Sequence, residues 1–147
     1  MNLRIAFLTV TFLALAGAPF SNLRADATRS VWDGVYTQDQ AKQGRPLYNE
    51  SCSSCHGDNL IGQDVAPALA GGEFISNWDG LTLGDLFERI RTTMPANKPG
   101  SLGREKNAAI LAYILSANQF PAGKSELAQQ KEVLDEIKIS AVKPGKK

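Results

Sequence analysis

Histidine, cysteine and methionine are almost missing from this chain. One histidine and two cysteines occur in 147 residues, all within Cys52-Ser53-Ser54-Cys55-His56, and there are two methionines, Met1 and Met94. Each shortage excludes a chemistry. A structural zinc site needs four ligands, and two thiols and one imidazole fall short. A thioredoxin-like redox disulfide should follow a strand and open a helix, but no alternating β-branched run precedes Cys52. A plain disulfide would leave His56 without a role. A second histidine to serve as distal acid or base in peroxidase-like chemistry is also lacking.

Long apolar runs are scarce too. Ile5 to Ala16 is apolar apart from Thr9 and Thr11, shorter than the ~20 residues that span a bilayer. It follows the basic start Met1 to Arg4 and precedes Ala25-Asp26-Ala27, an order that predicts a secretory leader over residues 1–27. Ala16-Gly17-Ala18 offers a competing cleavage site, but Pro19 would follow that cut. No cysteine adjoins either site, so lipid attachment is not expected. Cleavage after Ala27 removes Arg4, Arg24 and Asp26 and leaves 14 basic and 14 acidic residues. A neutral chain without a basic stripe is not expected to bind nucleic acid, and Lys143, Lys146 and Lys147 read as a solvated tail.

What is present points to covalent haem attachment. Two thiols one helical turn apart can reach the two vinyl groups of a haem, and the adjacent imidazole of His56 can take the iron. The second axial position must be filled from elsewhere. Met94 is the one methionine left after the leader, and Pro95 turns the chain out of any helix there. Its thioether is a soft ligand that favours ferrous iron and raises the reduction potential. Lys98 is a weaker alternative ligand because it must first lose a proton.

Periodicity predicts helices and little else. Thr37-Gln38-Asp39-Gln40 fits a capping box that opens a first helix at about residue 38, with a kink or break expected at Pro46. Leu83, Leu86, Phe87 and Ile90 repeat at helical spacing after Thr82, and this second helix delivers Met94 just past its end. A third helix begins near Arg104, after the loop Asn97 to Gly103. Its apolar set around Ile110, Leu111 and Ile114 is too broad for a surface helix. Residues 125–139 give a weaker amphipathic pattern through Leu127, Leu134 and Ile137.

A short helix leading into CxxCH, a proline loop, a helix ending in Met94-Pro95 and an apolar last helix resemble the monohaem c-type cytochromes over about residues 36–120. The resemblance implies an all-α, small cytochrome c-like fold wrapped around one haem c, attached through Cys52 and Cys55, with His56 and Met94 on the iron. It also implies that Gly44 and Tyr48 let the last helix cross the first closely, opposite Ile110, Tyr113 or Ile114. The loop Val65 to Gly71 is similar to the family's proline loop, so Pro67 would accept the Nδ1 proton of His56. Trp78 would reach a haem propionate through its indole N–H, and Arg89 and Arg91 could neutralise the propionates.

The implied organisation is a leader (1–27), an N-terminal extension (28–36), a cytochrome c domain (37–121) and a partly helical C-terminal extension with a flexible basic end (122–147). The implied function is an exported, periplasmic one-electron carrier that transforms no substrate and is not inserted in a membrane once the leader is gone. A neutral surface implies docking on a small apolar rim without strong steering. Val31-Trp32-Asp33-Gly34-Val35-Tyr36, with Met94-Pro95 and Lys98 to Leu102, is similar to modules associated with quinoprotein dehydrogenases. Redox-protein partners follow, a quinoprotein dehydrogenase and a terminal oxidase among them. Two alternatives stay open, an electron-relay subunit of a dehydrogenase complex and a haem enzyme or gas sensor with an open distal site.

Overall fold

The computed structural model describes residues 29–145. The expected leader and its cleavage site, as well as Lys146 and Lys147, lie outside the described residues. Helices dominate, as the apolar periodicity predicts, and no described helix is long and apolar enough to cross a membrane.

The first helix, α1 (Gln38–Ser51), starts where the Thr37 hydroxyl accepts the Gln40 amide at 3.1 Å. Only half of the expected capping box forms. The Gln40 side chain turns inward instead, donating to the Leu127 carbonyl at 3.1 Å and accepting the Leu127 amide at 2.7 Å. The break expected at Pro46 is also not found, and α1 runs through it to Ser51. Pro46 and Lys42 both lie on the exposed side, where water can satisfy the Lys42 carbonyl that the proline leaves unpaired.

A one-turn helix, α2 (Ser53–His56), follows directly, and a loop then leads to α3 (Gly72–Trp78), which periodicity did not predict. The next helix, α4 (Leu83–Thr93), opens on a complete capping box. The Thr82 hydroxyl accepts the Asp85 amide at 3.0 Å, and the Asp85 carboxylate accepts the Thr82 amide at 3.2 Å. Leu83, Leu86, Phe87 and Ile90 are all buried, as their spacing requires.

The last long helix, α5 (Arg104–Ala117), crosses α1 at backbone contact. A Cβ at Gly44 would collide with the Ala109 carbonyl and lie 3.0 Å from the Tyr113 Cβ, so only glycine fits. One helical turn on, the Tyr48 and Tyr113 rings pack with centroids 5.4 Å apart. Of the partners expected opposite Gly44, Tyr113 is in place, and Ala109 supplies the closest approach.

Both ends of the described chain fold back on this frame. A two-residue strand β1 (Arg29–Ser30) pairs in parallel with β2 (Ile137–Lys138), and Trp32 Nε1 donates to the Ser140 carbonyl at 2.8 Å. Gly123 lies directly on Gly34, whose φ is 65°, and the Gly123 amide donates to the Tyr36 carbonyl at 2.7 Å. Leu127, Leu134 and Ile137 are buried as their pattern suggests, yet only Lys131–Leu134 (α6) is helical. The Leu127 amide and carbonyl are taken by the Gln40 side chain, and the Glu136 carbonyl accepts the Arg29 amide, so these groups do not serve a longer helix.

Candidate functional site

The CxxCH residues occupy the junction of α1 and α2. Cys52 ends one helix and precedes the next, with φ −130° and ψ −33°, and the His56 amide donates to the Cys52 carbonyl at 3.0 Å. This single turn places Cys52, half-buried, one turn from Cys55, which is exposed.

His56 is buried beneath this turn, and its Nδ1 lies 2.8 Å from the Pro67 carbonyl. A carbonyl can only accept, so Nδ1 carries a proton, and of the two neutral tautomers this contact selects the one with its lone pair on Nε2. Tyr48 fixes the end of the turn by donating to the Gly57 carbonyl at 2.6 Å. The Pro67 loop is held from the far end of α5. Asn118 donates to the Leu69 carbonyl at 2.9 Å and accepts the Gly71 amide at 3.0 Å. Sequence reasoning missed Asn118, because these two loop partners lie more than forty residues away and no local pattern announces them.

Met94 forms the C-cap of α4, its amide bonded to the Ile90 carbonyl at 3.0 Å, and its half-buried side chain packs on the core. The loop beyond it is closed by the Gly100 amide on the Met94 carbonyl at 3.3 Å. Asn107, also missed, donates from Nδ2 to the Leu102 and Gly103 carbonyls at 2.9 and 3.0 Å. Lys98 is exposed in this loop. Trp78 ends α3 half-buried against the core. Arg91 forks onto Glu88, with bonds of 2.9 and 2.6 Å, while Arg89 is exposed.

This donor set suits a group that brings its own equatorial ligands. Among the described residues no cluster of three or more His, Cys, Asp or Glu could hold a bare metal ion. Two thiols one turn apart, one imidazole with a free Nε2 and one thioether are instead what a covalently attached porphyrin iron asks of a protein.

Comparison with known proteins points the same way. Residues 39–114 match the family described as cytochrome c oxidase, cbb3-type, subunit III. Cytochrome c-554(547) of Halothiobacillus neapolitanus is 38% identical over 89 residues, covering 58% of this chain and 81% of that protein. The cbb3-type cytochrome c oxidase subunit CcoP of Azospirillum sp. (strain B510) is 31% identical over 109 residues, 63% of this chain but 36% of that subunit. Among solved structures, the sulfane dehydrogenase SoxCD from Paracoccus pantotrophus aligns over 73% of this chain and 61% of its own, at 24% identity and a TM-score of 0.49.

Proposed function

Because the chain belongs to the c-type cytochromes of the cbb3-type subunit III family and binds haem c covalently, we propose that it is an exported one-electron carrier with the iron held between His56 and Met94. Cys52 and Cys55 supply the two thioether sulfurs. Trp78 donates to a propionate. Bound haem supplies an iron that cycles between ferric and ferrous states, and the protein's part is to hold it without rearrangement.

The observation that carries this reading is the 2.8 Å contact from His56 Nδ1 to the Pro67 carbonyl. It assigns the tautomer of the only imidazole in the chain and frees Nε2 for metal. The buried ring is clamped by a loop that Asn118 pins in turn, which orients the ligand. Met94 sits where α4 ends, and the loop that follows it is closed by the Gly100 amide on the Met94 carbonyl and tied at its far end by Asn107.

Export to the periplasm rests on the predicted leader. A second arrangement, in which the chain relays electrons as part of a larger oxidoreductase, is favoured by the likeness to CcoP, of which this chain matches 36%. Both arrangements share the same chemistry and differ in the partner.

Substitution of Met94 tests the ligand set. The unmodified ferrous protein should resist carbon monoxide and its ferric form should show a sulfur-to-iron band in the near infrared. Met94→Ala should bind carbon monoxide, lose the band and fall in reduction potential while keeping its haem. Rapid carbon monoxide binding by the unmodified protein, unchanged by the substitution, would overturn the carrier reading in favour of an open-site sensor or enzyme.

A further inference from the structure

Residues 121–141 form a strap beyond the stretch 39–114 that matches the family, and the carrier reading gives them no role. Apart from the ties to Gln40 and to the N-terminal extension, their bonds converge on the segment that carries Met94. The Gly80 amide donates to the Ile139 carbonyl and the Ile139 amide to the Leu81 carbonyl, each at 2.9 Å. The Ala141 amide donates to the Asp79 carboxylate at 2.8 Å, just ahead of the segment. Next in line, α6 packs on α4. A Cβ at the buried Gly84, in the first turn of α4, would strike the Asp135 carboxylate and come within 2.9 Å of its amide nitrogen. Leu134, fully buried, joins the core cluster that contains Leu83, Leu86, Phe87 and Ile90.

The strap reaches the other end of the same segment as well. Arg104, the first residue of α5, donates to the Gln129 carbonyl at 3.1 Å. Residues 80–104 are thus tied near both ends to residues 129–139, with α6 packed between the ties. None of these bonds involves residues 52–71, where the haem is attached. A helix of 11 residues such as α4 is stiff over its roughly 16 Å. Fixing its first turn and one flank therefore fixes where its C-cap, Met94, is presented. The loop that follows ends at Arg104, which the strap holds too.

We propose that the strap is a positioning element for the second axial ligand: the Met94 sulfur leaves the iron when residues 80–104 shift as a unit, and the strap sets how rarely they do. This rests on the reading that Met94 ligates the iron. Burial alone would stabilise the fold wherever the strap lay, whereas ties at both ends of one ligand-bearing segment oppose one motion in particular. Opening the segment requires lifting the strap, so the state with a free sixth position is less populated than the loop by itself would allow. Gly84 and Leu134 are the positioning residues, since the first permits the close approach of α6 and the second anchors it.

The rate at which the haem-loaded ferrous protein takes up carbon monoxide measures this opening. Gly84→Ala, which forces α6 off the start of α4, should raise the rate about tenfold or more. Leu134→Ala, which leaves a cavity beneath α6, should do the same, and Leu134→Met, which conserves volume, should stay within about twofold of the unmodified protein. Gln43→Gly, at an exposed position of α1, lowers stability through helix propensity alone and should leave the rate unchanged. Native-state hydrogen exchange of the unmodified protein should show the Met94, Gly100 and Ile139 amides opening as one unit, which Gly84→Ala hastens without moving the His56 and Gly57 amides. Uptake unmoved by both strap variants, or raised equally by Gln43→Gly, overturns the proposal, as does exchange at Met94 and Gly100 that is independent of Ile139. Absence of the near-infrared sulfur band in the unmodified ferric protein instead overturns the Met94 ligation on which it rests.

Discussion

Two crossings in this molecule bring backbone onto backbone through glycine, and they hold different things. At Gly44, α1 lies against the Ala109 carbonyl of α5, with the Tyr48 and Tyr113 rings packed one turn away. At Gly123, an irregular strap lies against Gly34 with hydrogen bonds beside it. The first crossing joins two long helices that frame the CxxCH turn and cannot move independently of it. The second fastens the ends of the described chain to the outside of that frame. Close approach is the same device in both, but the consequence of spoiling it depends on whether the neighbouring element can lift away.

Gly44→Ala should show the largest effect. Alanine gains about 1 kcal/mol in helix propensity, but its Cβ meets main chain, which cannot yield without parting α1 from α5. Overpacking of about 3 kcal/mol or more should win, seen as a lower denaturant midpoint together with poorer haem retention. Gly123→Ala should cost about 2 kcal/mol, and hydrogen exchange should rise within residues 121–145 while the haem spectrum stays unchanged. If the strap variant disturbed the haem as much as the helix variant, the two crossings would not be separable as described.

A matched pair of tyrosines sharpens the contrast at smaller scale. Tyr36 donates to the Phe120 carbonyl and Tyr48 to the Gly57 carbonyl, each at 2.6 Å and each buried. Replacement of either by phenylalanine should cost about 1 kcal/mol, but only Tyr48→Phe should alter the visible circular dichroism of the haem. Burial holds both phenols above their ordinary value of 10. They stay protonated in the fold when the unfolded chain ionises, so stability present below pH 10 declines as the pH rises beyond it. Each phenylalanine variant should flatten that alkaline decline, and unchanged slopes in urea titrations would count against the buried phenols as its source.

The helical frame was legible because its signals are local. Thr82 and Asp85 cap α4 three residues apart, and Leu83, Leu86, Phe87 and Ile90 mark its inner face. Gly44 and Tyr48 share a face of α1 that any close-crossing helix would use. The strap was not legible, because its partners are far apart in sequence. Gln40 reads locally as a capping residue, and only the Leu127 backbone, 87 residues away, reveals its other use. Pro46 does not end α1 for a related reason, since a helix tolerates a missing bond where the orphaned carbonyl faces water. At the candidate site, the residues with unusual chemistry stood out in the sequence. The asparagines that brace their loops, Asn107 and Asn118, did not, because amide side chains are common and their carbonyl partners leave no trace in composition.

The parallel pairing of β1 with β2 has a mechanical consequence. Arg29 is aligned with Ile137 and Ser30 with Lys138, and the Arg29 amide bonds to the Glu136 carbonyl at 3.3 Å. Tension applied to the chain before Arg29 and after Lys138 would pull parallel neighbours in opposite directions along their length. The bonds between them would be loaded in shear and would have to yield together, with the Trp32 clasp on Ser140 sharing the load. A pull on the ends would thus meet this short patch before it reached the helices around the CxxCH turn.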